Sequence, residues 1–534
     1  MRKAIPVFHI NIKNHYLIVF LLIAIGFAIR VFLITTIPSG LNQDEASIGY
    51  DAFSIMHTGC DRNANSLPIH LVSWGSGQNV LYAYLSIPFI YIFGLNIFSV
   101  RIVNALFSCL SLVIFYKLFS TSFDKKKSLI ALSLLTICPW SIMSARWGLE
   151  SNIFPPLFLL AVFLLIKGIS SSQKYFPVSF IAFAVCLYSY GTSYLILPVF
   201  FLFVIPYLLY EKKISFSYLL FSLSLFFIVA LPIIAFVIIN HFNLHQIQLA
   251  GITIPKLESN RTTVIFNLFN GNFFPTFIKD VVRFLSIIVL QTDGNEYNAI
   301  SSIGTIYFIS FPFCIIGLIR IIKNRQFIRI PIHFILFTWL LCSIIIGCTS
   351  HVNINRINII FIPLLYFTIF GFFDVSDMLN TVYRKHYPAF LIAFYTLYFG
   401  FFCGYYFLIF KKEVKSDFSF GLGDAIQYAE KIKKNETVNI TTKTINMPYI
   451  YVCFYNRIDP KKFINTVIYQ DNYDGFKKVK SFDCYTFGNN RLNSKAIRIL
   501  SKDEIEFSKL DSSRYKNFGN YYVVQDTLSK TIDN

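Results

Sequence analysis

Along the first three quarters of the chain, apolar runs long enough to cross a bilayer alternate with short polar connections, many of them basic. The runs lie at 16–37, 99–119, 128–139, 153–166, 176–190, 194–210, 218–239, 300–318, 332–348, 357–373 and 388–410, and they predict about eleven transmembrane helices. The run 80–93 contains Pro88 and, counted as a span, would put Lys125, Lys126 and Lys127 outside; it reads instead as an interfacial or partly inserted helix. Residues 240–299 form a long polar connection whose apolar part, 281–290, dips into the interface. Beyond Lys411 the pattern becomes that of a soluble α/β unit. Gly423 and Asp424 open a helix over 425–434, and 436–442, 482–488 and 521–527 read as short strands. The predicted fold is an all-α polytopic membrane protein with interfacial helices over 1–410 and a small extracytoplasmic α/β domain over 411–534, the latter a lid or acceptor-docking unit.

Composition supports the membrane reading. The 534 residues are 55% hydrophobic and 14% charged, whereas soluble domains carry about 25% charged residues. The net charge of +19 follows the positive-inside rule: Arg2, Lys3, Lys13, the 125–127 cluster, Lys167, Lys174, Lys212, Lys213 and the cluster at 320–329 all fall on one side, the cytoplasm. That excludes nucleic acid as the reason for the charge. The first run spans and lacks a small-residue cleavage site, as expected of an uncleaved anchor. The ten cysteines form no CxxC pair; Cys453 and Cys484, in the tail, are open to a disulfide if the tail is extracytoplasmic.

On this topology the unusual polar residues collect on the outer face. They are Asp44, Glu45, Asp51, Asp61 and Arg62 after the first span, Arg146 and Glu150 in the next outer loop, His245, Glu258 and Arg261 in the long connection, Asp293 and Glu296 at its end, and Arg356. Asp61, Arg62, Glu258 and Arg261 read as solvated loop charges, Arg30 as a snorkelling side chain, and Tyr190 and Tyr194 as packing groups. Asp44, Arg146, Glu150 and Arg356 lie close to membrane boundaries, where an unused charge is costly. A carboxylate there can deprotonate a hydroxyl, and guanidinium forks match phosphate oxygens. No Walker A loop or dinucleotide fingerprint occurs, so a sugar carried on a lipid phosphate is the substrate class this chemistry suits.

The run PSGLNQDEASIGYDAFSIMHTG, followed by SGQNVLYAYLSIPFIYIFGLNIFSVRIVNAL, SARWGLESN, SYGTSYLILP and NINRINIIFIPLL, resembles the GT-C glycosyltransferases. The likeness covers roughly residues 16–410 and is in particular to bacterial relatives of the dolichyl-phosphate-mannose protein mannosyltransferases and of the lipid A aminoarabinose transferase. It implies Asp44 as catalytic base with Glu45 as its companion, and Arg146 and Arg356 as ligands of the donor phosphate. Some relatives carry a lysine where this chain has 77–79, leaving Gln78 as a neutral substitute. Some members bind a divalent metal through a glutamate and a histidine, for which Glu150 and His245 are the candidates. The implied activity is that of a polyprenyl-phosphate-sugar-dependent hexosyltransferase of the cell membrane, acting with inversion on a glycan, lipid or protein acceptor. A lipid-linked glycan flippase or transporter would place charges at mid-bilayer and show inverted repeats; neither is present. An O-antigen-type polymerase or ligase gives no reason for Asp-Glu directly after the first span.

Overall fold

The computed structural model describes residues 12–259, 273–323, 325, 330–349, 352–470, 476–488, 496–508 and 515–525. Arg261 lies outside them.

The membrane part is built mainly of helices: α1 Ile12–Val31, α2 Gln43–Thr58, α3 Leu81–Phe93, α4 Ile97–Ser122, α5 Lys125–Ile137, α6 Pro139–Ala145, α7 Phe154–Ser170, α8 Tyr175–Cys186, α9 Ser193–Tyr210, α10 Phe216–His241, α11 Phe273–Leu290, α12 Ser310–Lys323, α13 Pro331–Thr349, α14 Phe361–Met378 and α15 Thr381–Tyr405. Local signals set the boundaries. Asn96 and Ser99 form a capping box at the start of α4, Asp124 caps α5, and Ser215 caps α10, each supplying an acceptor for an amide that has no partner within the helix. Among the described residues seven helices are long and apolar enough to cross a membrane, and eight if α5 and α6, bent by 55° at Cys138 and Pro139, count as one span. The chain is a multi-pass membrane protein. The expected count of about eleven includes runs that form shorter helices: 176–190 yields the 12-residue α8, and 300–318 divides into turns over 301–309 followed by the 14-residue α12.

Backbones meet closely where glycines permit it. A Cβ on Gly371 of α14 would lie 1.9 Å from the Phe313 carbonyl oxygen of α12, so glycine lets this pair approach to backbone contact.

The region beyond Lys411 adds helices α16 Leu422–Ile432, α17 Pro448–Tyr455, α18 Pro460–Thr466 and α19 Lys502–Ser508 to strands β3 Thr437–Ile440, β4 Ile468–Tyr469, β5 Val479–Phe482, β6 Tyr485–Phe487, β7 Ala496–Ser501, β8 Tyr515–Phe518 and β9 Tyr521–Gln525. A separate hairpin, β1 Ile247–Leu249 with β2 Ile252–Ile254, lies in the long connection. The seven-stranded sheet has the order β4-β5-β6-β3-β7-β9-β8, with β3 parallel to both β6 and β7 and the outer pairs antiparallel. This unit is not tethered loosely. Its buried residues Ile450, Val452, Cys453 and Phe463 belong to the same apolar core as α2 and α4, the Phe454 ring lies against Gly49 of α2, and the Tyr50 hydroxyl donates to the Ile458 carbonyl at 3.1 Å. Cys453 and Cys484 are free thiols. Cys453 faces the core beside Tyr50, whereas Cys484, in the β5–β6 turn, has its sulfur 3.1 Å from Lys433 Nζ; the disulfide open to them in sequence does not form.

Candidate active site

The acidic pair sits in the first turn of α2. Asn42 caps this helix: its side-chain oxygen accepts from the Asp44 amide at 3.0 Å, and its own amide donates to Glu45 Oε2 at 3.0 Å. Adjacent residues on a helix point about 100° apart, and the two carboxylates accordingly meet different fates. Glu45 turns inward and is fully buried. Arg101 grips both its oxygens, Nε to Oε1 at 2.7 Å and Nη2 to Oε2 at 2.9 Å, and the Gly148 amide donates to Oε1 at 2.8 Å. Arg101 also donates to the carbonyls of Ile34, Pro38 and Gly40. Glu45 thus anchors the loop, its carboxylate held by a guanidinium fork and two amides.

Asp44 turns to the rim and is half-buried. The indole Nε1 of Trp74 donates to its Oδ1 at 3.4 Å, and the phenol of Tyr451, from the C-terminal unit, lies in its field. Its place in the first turn favours the ionised form through the helix dipole. Trp74 tops a tight hairpin in which Leu71 and Gln78 exchange two backbone hydrogen bonds of 2.9 Å. Beneath the indole lies the Arg62 guanidinium, 4.7 Å from the ring centroid.

Arg62 is not the solvated charge that the sequence suggested; it is paired with Asp51. Both are buried, with Arg62 Nη1 2.6 Å from Asp51 Oδ2, and Arg62 also donates to the hydroxyls of Ser47 and Ser73 at 2.8 and 3.3 Å. Burial raises the Asp51 carboxyl, with Arg62 opposing the rise. Asp61 is buried as well, folding its own turn by accepting from the amides of Asn63 and Asn65 at 2.9 Å. Glu258 is ion-paired to Lys477 of the C-terminal unit at 3.2 Å.

The other expected site residues separate. Gln78 is buried beside the pair, its Oε1 accepting from Ser47 Oγ at 3.2 Å. Arg146 is buried, and its guanidinium donates to the carbonyls of Ile29, Arg30 and Ile37 at 2.8, 3.2 and 3.1 Å while lying over the rings of Tyr406 and Phe407. It closes the end of α1, its guanidinium turned to these carbonyls. Arg30 does not snorkel: it is fully buried and donates to Ser108, Ser141 and the carbonyls of Gly26, Leu135 and Thr136. Arg356 is half-buried in the loop before α14, which Asp293 ties to the long connection by accepting from the Ile354 amide at 3.0 Å. Glu150 opens a short 3-10 turn at Glu150–Ile153 near Tyr194, and His245 is exposed in the turn after α10. Among the described residues no three His, Cys, Asp or Glu side chains gather as a metal site.

Sequence reasoning missed three residues. Arg101 stood in the quoted FGLNIFSVR motif without a role; Trp74 carried no signal. Phe418 lies far along the chain, yet its carbonyl accepts from the Leu41 amide at 2.8 Å and its ring lies between Arg101 and Trp147, at 5.7 and 5.6 Å.

Residues 78–239 match the family model for dolichyl-phosphate-mannose-protein mannosyltransferase. ArnT from Cupriavidus metallidurans bound to undecaprenyl phosphate has the same fold, with a TM-score of 0.58 at 12% identity over 96% of this chain and 98% of that one. The same protein in its apo state gives a TM-score of 0.57 at 11% identity over 95% and 97%. No curated protein sequence matches. The likeness to the GT-C enzymes read from the motifs is borne out by the shared fold and by the family match.

Proposed function

We propose that this chain, a GT-C-like membrane protein, transfers a sugar from a polyprenyl-phosphate donor to an acceptor hydroxyl with inversion at the anomeric carbon. The observation that carries the reading is the division of labour in the acidic pair: Glu45 is locked by Arg101, the Gly148 amide and the Asn42 amide, while Asp44 is held half-exposed at the rim. A polyprenyl-phosphate carrier is supported by the undecaprenyl phosphate bound to the ArnT that shares the fold.

Asp44 takes the acceptor O–H proton as the oxygen bonds to the anomeric carbon. The C–O bond to phosphate breaks on the opposite face, and its electron pair leaves with polyprenyl phosphate. A base so placed contributes on the order of 10²–10⁴ in rate. Arg356 is the arginine we assign to the departing phosphate, where a fixed positive charge lowers the barrier. Gln78 acts through the hairpin by bonding Ser47. Glu150 is retained as an acceptor-side group.

The finer expectations belong to this proposal: about eleven spans, a cytoplasmic N-terminus, an extracytoplasmic site, a hexose as the transferred sugar, and a unit boundary near residue 410. The charge pattern gives a flippase no support, since the buried arginines Arg30, Arg62, Arg101 and Arg146 are all bonded to protein groups. The reading is tested with purified protein in lipid and a panel of polyprenyl-phosphate sugars. One donor is consumed with stoichiometric polyprenyl phosphate release and inverted product; lipid movement across the bilayer with no donor consumed overturns it.

A further inference from the structure

The structure assigns Trp74 as the positioning residue of the Asp44 carboxylate, held in its own place by the buried Asp51–Arg62 pair. The assignment rests on the reading of Asp44 as base. The geometry is a relay of fixed groups. Asp51 and Arg62 are each about 1% exposed in their side chains and bonded at 2.6 Å, so the guanidinium plane cannot turn without stranding a buried charge. That plane lies under the Trp74 ring at 4.7 Å, an orientation favoured by the ring quadrupole. The edge of Tyr449 meets the same ring at 6.1 Å and 80°, and the Lys477 amide donates to the Trp74 carbonyl at 2.9 Å. The indole is thus fixed from below, from its edge and through its backbone. Its single donor, Nε1, is directed at Asp44 Oδ1.

The other groups around this carboxylate do different work. Asn42 holds the Asp44 backbone, the Glu45–Arg101 pair faces the opposite side of the helix turn, and Tyr451 lies in the field of Asp44 with its hydroxyl in hydrogen-bond contact with Ser419 Oγ at 3.2 Å. The indole N–H is a side-chain donor that both orients the carboxylate and favours its ionised form.

Trp74→Phe is the test, because it keeps an aromatic ring over Arg62 and removes only the indole donor. The expected result is a kcat about tenfold lower with KM within about twofold, and the acidic limb of the kcat–pH profile displaced upward by about half a unit to one unit. Arg62→Lys, which keeps the charge and loses the planar fork, should move the same limb in the same direction. An unchanged kcat and limb in Trp74→Phe overturns the assignment, as does a lower kcat with an unmoved limb and a lower melting temperature. Should Arg62→Lys not fold, Trp74→Phe alone decides. Asp44→Asn separates the two readings: if it stays active, the base assignment has failed, whereas an inert Asp44→Asn beside an unaltered Trp74→Phe removes only the role of Trp74.

Discussion

His70 shows how burial makes a single side chain a pH sensor of stability. It lies at the base of the hairpin that carries Trp74, its ring stacked 4.1 Å from Phe236, and its Nδ1–H donates to the Leu71 carbonyl at 3.0 Å. Burial pulls its titration down to about 4 from 6.5. The folded chain therefore keeps it neutral while the unfolded chain protonates it first, so the stabilisation is complete above about 6.5 and lost as pH falls toward 4, to a total of about 3 kcal/mol. Melting curves of wild type and His70→Phe, compared from pH 7 to pH 4, should converge or cross as wild type loses this increment; a pH-independent difference contradicts the account. At this scale the sequence marked where charge would matter but not how it would be used. Asp44 and Glu45 are neighbours of like chemistry, and only the helix phase, which turns one inward and one to the rim, separates them. Arg62 read as a solvated loop charge because polarity alone does not distinguish a solvated ion from one buried in a bonded pair, here with Asp51.

At the scale of elements, the site depends on a strap of chain contributed from far away. Residues 39–42, which lead into α2, lie along 411–418: Ser39 Oγ donates to the Lys411 carbonyl at 2.7 Å, the Leu41 amide to that of Phe418 at 2.8 Å, and Asn42 Nδ2 to that of Asp417 at 3.3 Å. Gly40, with φ of +91°, brings the strands together; a Cβ there would stand 2.0 Å from the Phe418 oxygen. Gly40→Ala is accordingly expected to cost about 2–4 kcal/mol, read as a lower melting temperature together with weaker sugar transfer, whereas unaltered stability would show that the strap does not hold the cap. Helices with strong caps and long apolar runs were readable from sequence. The role of Arg146 was not, because the carbonyls it satisfies belong to the end of α1 and the following turn, groups whose need for partners appears only once the helix stops. The expected lid or docking role of the C-terminal unit likewise leaves out its share of the α2 core, since apolar residues on short helices such as α17 carry no sign of what they cover.

For the whole molecule, the alternation of apolar runs and polar connections conveyed the membrane class, while the likeness to the GT-C enzymes came from the motifs; among the described residues seven or eight helices have span length. In runs such as 176–190 and 300–318 hydropathy persists beyond the end of a shorter helix. The organisation that results is a helical bundle whose connecting loops are tied to a seven-stranded α/β unit, with Asp44 at the seam between Trp74 of the first loop and Tyr451 of that unit. Because Glu45 anchors and Asp44 is presented, removing only the basicity of Asp44 should spare the architecture and stop the reaction. The decisive measurement is single-turnover release of polyprenyl phosphate by wild type and Asp44→Asn in the same lipid, alongside their melting temperatures. The account predicts a loss of about 10²–10⁴ in rate at an unchanged melting temperature; equal release by the two proteins contradicts it.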